Sequence, residues 1–503
     1  MSSVIRHGVA DMISYGVVYC RSEKINIGIF PLFLSVLIWS CQPKDPWVVA
    51  QTRYPMLTPC STEGLSEEIL CGTIEVFEDQ ISKKGKKIPL DVFLFPTFNL
   101  DPSSSVFIDY NGGPGVPNNL LIPLYEKGGF LSSFRDVRDV LIVDKRGTGA
   151  SNITCGALDS IPLPLNHYLF NTDFIANCLS EIQSKVDLSN YNTASQVEDL
   201  EAVRQWLGIE QYDFHGISYG TRVGLELIRK YPKNINSAIL TGTAPPNFGL
   251  FEFVDVETER VLQKLILRCD TDSTCSSNFP RFKEELYQLR SDIKDSSVLY
   301  RYTHEDTNNK YDIEFTDYVY IGMVANMFHS GNKLEQLPAI IKEASSGNFS
   351  PLIRANISSH QLAIPLHLSQ FCPEESNRHP VENIEAFDTL FTKGMGALTE
   401  FNACQVWQQL PTPEWLSEPI GGGARLLLFS GEDDVLTPPR MNDSIGQLFP
   451  NSRHVIFKDQ GHAYTDWSCW ESIIYQFLEG DGEGDPLDIS CATKIKRSAF
   501  SLL

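Results

Sequence analysis

Three side chains in this sequence could assemble an activated nucleophile. Ser218 is the centre of Gly216-Ile217-Ser218-Tyr219-Gly220, between a strand-like segment and a helical one. A sharp strand-to-helix turn exposes the serine oxygen and aims backbone N–H groups and a helix N-terminus at the charge that develops on a substrate carbonyl. The flanking glycines permit the tight backbone. A serine is a poor nucleophile at neutral pH and needs a base held by a carboxylate. Only two histidines follow the acidic run Glu432-Asp433-Asp434. His462, just after a strand-like run, is the expected base, whereas His454 opens a strand and is expected to be a packed or surface imidazole. Asp434 is the expected partner of His462, with Asp433 as its competitor. Because the base must be neutral, activity is expected to fall as pH drops through about 6.5 or lower.

The elements that must position these residues are legible as short runs. Ile74–Phe77, Pro89–Phe95, Val106–Tyr110 and Val140–Val143 are apolar or alternating and bounded by turn residues, so they read as strands. Val197, Leu200, Val203 and Leu207 recur at helical spacing, which predicts an amphipathic helix over 194–207. Tyr212–Ile217, Tyr219–Tyr231 and Ser237–Leu240 then read as strand, helix and strand, hence parallel strands with a right-handed crossover. Between Pro246 and Pro419 helical patterns dominate, as in Glu257–Leu267 and Pro280–Leu289. Strand patterns resume at Arg425–Ser430 and His454–Phe457, and a helix over 467–478 follows.

This order resembles an α/β-hydrolase fold, which implies a mostly parallel sheet flanked by helices, with nucleophile, acid and histidine each following a strand. Two or three β/α units need roughly 100 residues, about half of the interval from Ser218 to Asp434. A large, mainly helical cap is therefore inserted between nucleophile and acid, and such insertions cover the active site. The expected division is a leader over 1–40, a first core part over 41–246, the cap over 247–420 and a second core part over 421–503. Asn111-Gly112-Gly113-Pro114-Gly115 follows the strand at 106–110. An N–H of Gly112 or Gly113, with that of Tyr219, could hold an oxyanion, although the cluster reads equally as a simple turn. Asp144 and Arg146 in Asp144-Lys145-Arg146-Gly147-Thr148-Gly149-Ala150-Ser151 are expected to tie loops together beneath the site.

With Gly-Glu-Asp-Asp-x-x-Thr-Pro from Gly431 and Gly461-His462, these motifs resemble the α/β-hydrolase peptidases that include prolyl iminopeptidase and the tripeptidyl aminopeptidases. The tripeptidyl branch is nearer. Its likeness runs from about Cys71 to Cys491 and includes Cys269-x5-Cys275, Cys372-Pro373-Glu374-Glu375 and Cys404-x-x-Trp407. Two positions depart from the pattern: Asn111 stands where His is common, and Val435 replaces a frequent Pro. The resemblance implies a serine exopeptidase whose partners are peptides with a free N-terminus. An ammonium group calls for nearby carboxylates, and Glu374 and Glu375 are the candidates, the alternative being a solvated acidic loop. The resemblance also supports the pairs Cys269/Cys275 and Cys372/Cys404. A carboxylesterase or lipase would use the same triad with a different cap, and a hydrolase-fold binding protein would have lost triad residues.

Composition agrees with a folded enzyme that does not handle nucleic acid. The 503 residues are 42% hydrophobic, and 41 Lys plus Arg against 63 Asp plus Glu give a net charge of −22. A nucleic-acid backbone needs a concentrated basic surface. Arg21 and Lys24 precede an apolar run that ends in Ser40-Cys41, like a lipoprotein signal peptide, short for a spanning helix. Cys41 is accordingly a lipidation candidate and membrane attachment through its lipid is expected; an ordinary cleaved signal and a retained anchor are the other readings. Export to the periplasm or cell surface, or secretion, follows from each of the first two. Ten cysteines remain beyond this segment: Cys60, Cys71, Cys155, Cys178, Cys269, Cys275, Cys372, Cys404, Cys469 and Cys491. An even number in an exported chain reads as five disulfides, for which nearest-neighbour pairing is simplest. No Cys/His cluster has metal-ligand spacing and no motif calls for a cofactor.

Overall fold

In the computed structural model of the chain, the run Ser105–Tyr110 is buried at every residue and forms the middle strand of a nine-stranded sheet. The described residues are 18–29, 32–43, 45–62, 64–99, 103–156, 171–329, 333–357, 362–376, 390–392, 398–480 and 486–502. We number the strands β1 (Val18–Ile29), β2 (Leu32–Pro43), β3 (Thr58–Cys60), β4 (Ile69–Asp79), β5 (Lys84–Phe95), β6 (Ser105–Tyr110), β7 (Val140–Val143), β8 (Gln211–Ile217), β9 (Ile235–Thr241), β10 (Val298–Thr303), β11 (Lys310–Phe315), β12 (Arg425–Gly431) and β13 (Ser452–Phe457). The large sheet has the order β13-β12-β9-β8-β6-β7-β5-β4-β3. It is parallel from β13 through β7 and antiparallel from β5 to the β3 edge. This is the α/β-hydrolase fold, with every expected core strand in place.

Alternation along the strands divides the core into two layers. Val106, Ile108 and Tyr110 pack on one face of the sheet with Val197, Leu200, Val203 and Leu207. Phe107 points to the other face, where Trp470, Ile473 and Phe477 of the helix Trp467–Glu479 cover it. The first of these helices runs from Thr193 to Leu207. Asn192 caps its N-terminus by accepting from Ser195 N–H, and Gly208 ends it in the left-handed region at φ 67°. Burying each of its four apolar side chains contributes about 1.5–3 kcal/mol.

Between β9 and β12 the helices Val254–Thr271, Phe282–Asp295, Asp317–Asn326 and Leu337–Ser345 enclose a separate apolar cluster, joined by Val435 and Phe500 from outside the segment. The helical rhythm hides one element: β10 and β11 form an antiparallel hairpin. Tyr302, Ile313 and Phe315 face inward while Arg301 and Asp312 pair on the outside, a half-buried alternation too short to stand out.

Among the described residues five disulfides join Cys60–Cys71, Cys155–Cys178, Cys269–Cys275, Cys372–Cys404 and Cys469–Cys491, the nearest-neighbour set. The apolar run before Cys41 belongs to an antiparallel hairpin of β1 with β2. Residues 1–17 of the expected leader, and the Cys41 side chain, lie outside what is described. Among the described residues no helix is long and apolar enough to cross a membrane.

Candidate active site

Ser218 sits where β8 stops and the helix Tyr219–Lys230 begins, with φ 54° and ψ −125°. A non-glycine residue there costs about 1–3 kcal/mol and persists only where its surroundings hold it. Here the hold is visible: Ser218 N–H donates to Thr241 O at 2.8 Å, and its side chain makes no capping bond to the helix it precedes. The glycines explain themselves by close approach. A Cβ on Gly216 would lie 2.7 Å from Gly220 O, and one on Gly220 would lie 2.7 Å from Asn111 O.

Asp434 and His462 meet beside this turn. Asp434, fully buried on the loop after β12, accepts the N–H groups of Leu436 and Thr437 at 2.9 Å each, Thr437 Oγ1 at 2.7 Å and His462 Nδ1 at 2.9 Å. Burial alone would raise its carboxyl, but His462 and the Thr437 donors outweigh burial and hold it below the ordinary carboxylate range. For His462 burial works downward, and the Asp434 carboxylate overrides it, raising the imidazole above its ordinary value. A Cβ on Gly242 would lie 3.1 Å from the His462 ring, so the corner Thr241–Gly242 that anchors Ser218 also seats the imidazole.

The competing side chains have other partners. Asp433 pairs with Arg260 at 3.0 Å, with Lys264 at 2.9 Å and with Arg497. His454 Nε2 lies 3.0 Å from Ser430 Oγ and is a packed imidazole. Glu432, Asp433 and Asp459 approach closely enough to be considered as metal ligands, but Lys264 reaches all three and Arg497 reaches two. Their charge is already compensated. His329, from the cap, was not signalled by any spacing: its carbonyl accepts Ala463 N–H at 3.2 Å. Burial, reinforced by His462, pulls the His329 imidazole down to about 4, so it is neutral across the range in which His462 titrates.

The loop Asn111–Gly115 lies against the nucleophile. A Cβ on Gly112 would sit 2.7 Å from Ser218 Cβ and 3.3 Å from its Oγ. Only a glycine lets this backbone come so near. The N–H groups of Gly112 and Gly113 donate to no acceptor among the described residues. Asp144 accepts Asn119 N–H at 3.1 Å. Arg146, fully buried, forks onto Asp199 at 2.7 Å through both Nε and Nη2 and also holds the carbonyls of Glu78 and Asn190. Both tie loops together, as their motif implied.

Glu374 and Glu375 are wholly buried, which corrects the reading of this stretch as a solvated acidic loop. Glu374 accepts Thr193 Oγ1 at 2.6 Å, Tyr219 OH, and Arg222 Nη1 at 3.3 Å. Glu375 accepts Arg222 Nη1 and Leu250 N–H, the latter at 2.7 Å. Two carboxylates thus share one guanidinium, four residues after Ser218. Burial, only partly offset by Arg222, raises the Glu374 carboxyl. Sequence reading missed Arg222, whose helical position gives no hint of a partner so far along the chain.

A family model described as alpha/beta hydrolase fold matches residues 111–311, and one described as TAP-like protein matches residues 391–491. Serine protease Hip1 of Mycobacterium tuberculosis is 26% identical over 210 residues, 38% of this chain and 39% of that protein's length. The chain therefore matches well under half the length of this curated relative. Among solved structures, a proline iminopeptidase from Mycobacterium smegmatis aligns with 81% of this chain and 98% of its own at 15% identity and a TM-score of 0.35. A serine hydrolase from Cycloclasticus zankles aligns with 82% of this chain and 98% of its own at 13% identity and a TM-score of 0.37.

Proposed function

From an α/β-hydrolase fold whose residues 111–311 and 391–491 match the alpha/beta hydrolase and TAP-like family models, we infer that this protein is a serine exopeptidase taking residues from the free N-terminus of peptides. Ser218 attacks the scissile carbonyl. His462 takes the serine proton and returns it to the leaving amine, while Asp434 holds the imidazole in the tautomer with Nδ1 protonated. The N–H groups of Gly112 or Gly113 and of Tyr219 receive the oxyanion, and water then releases the acyl-enzyme.

The observation that carries the peptidase reading is the buried carboxylate excess at Tyr219. Among the described residues Glu374 and Glu375 face a single arginine, and Glu374 bonds the phenol of the residue next to the nucleophile. A substrate ammonium supplies the missing positive charge and favours the ionised form of Glu374. An ester substrate offers no such charge.

Five disulfides support an oxidising compartment. Export, with lipid attachment at Cys41, remains our reading of the leader.

The test offers the purified protein aminoacyl, dipeptidyl and tripeptidyl arylamides, the same peptides N-acetylated, and simple aryl esters, with Ser218→Ala as control. Turnover of free-amine amides that is lost on acetylation is the expected result. Turnover of esters alone would make the protein an esterase. No turnover of any kind would leave a binding protein.

A further inference from the structure

Lys145 lies behind the Asn111–Gly115 loop, 3% exposed. Its Nζ donates to Asn111 O at 2.6 Å and to Gly112 O at 3.0 Å, and it stands 4.8 Å from the centre of the Tyr110 ring. These two carbonyls belong to the same planar amides as the N–H groups of Gly112 and Gly113. A donor on the oxygen of an amide draws electrons from its nitrogen and strengthens the N–H at the opposite end.

We propose that Lys145 is a positioning residue for the oxyanion hole: by gripping the Asn111 and Gly112 carbonyls, its ammonium orients and polarises the two amides whose N–H groups the acyl-enzyme reading assigns to the oxyanion. The claim rests on the acyl-enzyme reading above and adds a residue to it.

Three observations favour this role over simple filling of space. Both hydrogen bonds of the ammonium go to main-chain oxygens of this loop. Asn111 O is also pressed against the nucleophile helix at Gly220, so the amide cannot rotate away without moving that helix. Burying an ammonium is also far costlier than burying a methionine of the same length. Burial pulls Lys145 down to about 7, with the neighbouring Asp144 opposing. The charge is therefore held at a disadvantage in the resting protein, and negative charge developing across the amides relieves it. Stabilisation that appears only at that stage raises kcat, not substrate affinity.

The experiment compares the full chain with Lys145→Met, Lys145→Gln and Ser218→Ala on the best arylamide or ester substrate, reading kcat and KM separately. The inhibition constant of a peptide-like boronic acid, which forms a tetrahedral adduct on serine, is measured alongside thermal melting. Lys145→Met is expected to lower kcat by about 10- to 100-fold, less than or equal to the loss of one whole oxyanion donor. KM should stay within about twofold, and boronate affinity should fall in parallel with kcat. Lys145→Gln, which keeps a neutral donor, should fall between the two. A folded Lys145→Met or Lys145→Gln with kcat within about twofold of the parent overturns the proposal, as does a loss confined to KM. Failure of both variants to fold assigns the lysine to stability and overturns it too. Turnover that survives Ser218→Ala overturns the acyl-enzyme reading itself, whereas loss in Ser218→Ala with unchanged Lys145 variants overturns only this inference.

Discussion

Asp433 and Asp434 are adjacent in the chain and serve opposite sides of the site: Asp434 holds His462 at 2.9 Å, while Asp433 holds Arg260 of a cap helix at 3.0 Å. One loop therefore orients the imidazole and fastens the cap.

The two acids should separate by assay. Asp434→Asn is expected to lower kcat by about 10⁴-fold through the wrong imidazole tautomer, an effect far larger than its loss of stability explains. Asp433→Asn should instead cost about 1–3 kcal/mol of stability, discounted for the partial exposure of Arg260 and Lys264. Kinetics and urea denaturation of both variants check this, and a reversed pattern would reassign the catalytic carboxylate.

The acid limb of kcat/KM should lie above about 6.5. His462 acts as base only when neutral, and Asp434 raises its pKa, so activity fades on acidification sooner than an isolated imidazole would allow. The stability contribution runs the other way. It is fully present below the unfolded histidine value and is lost as pH rises through the folded one, while the share from Asp434, whose pKa is lowered, disappears only as pH falls through its folded value. A pH–rate profile with its limb at or below about 6.5 contradicts the assignment.

Glu374→Gln removes the excess charge beside Tyr219. KM for free-amine arylamides is expected to rise about tenfold or more, corresponding to about 1.4 kcal/mol, while hydrolysis of acetylated esters changes little. Equal losses on both substrates would mark Glu374 as structural.

Gly112→Ala places a methyl group 2.7 Å from Ser218 Cβ and from Ile217 O. The loop must retreat from the nucleophile, and kcat should fall about 100-fold, the scale of a lost oxyanion donor. A variant with normal kcat would show that this backbone does not receive the oxyanion.

Replacing Cys372 and Cys404 together by serine opens a loop whose ends are 32 residues apart. The expected cost is about 3.7 kcal/mol. Because Glu374 and Glu375 lie two and three residues after Cys372, the rise in KM for free-amine substrates should appear below the melting temperature. Calorimetry and kinetics on the same sample distinguish the two effects.

Much of the core was legible because its signals are local. A short, mostly apolar run such as Val106–Tyr110 needs no partner to be read as a strand, and glycines around Ser218 report a tight turn wherever it lies. The remainder depends on contacts between distant parts of the chain. Arg222 meets Glu375 across 153 positions, and the acidic pair looked like a solvated loop because nothing nearby carries its counter-charge. His329 reaches the neighbourhood of His462 only because the cap folds over, and Lys145 is recognisable only once the two carbonyls above it are placed. The β10–β11 hairpin was missed for a different reason, since six-residue strands with one exposed face carry little periodic signal within a helical segment.

The disulfides have a consequence for how the protein is made. Along the described chain, every cysteine in a bond is joined to the next cysteine in order, from Cys60–Cys71 to Cys469–Cys491. As the polypeptide emerges from its N-terminal side, the correct partner is always the next thiol to arrive. An oxidant that simply joins cysteines in order of appearance makes the native set of these five bonds, so their formation calls for a two-electron oxidant per bond and no disulfide shuffling.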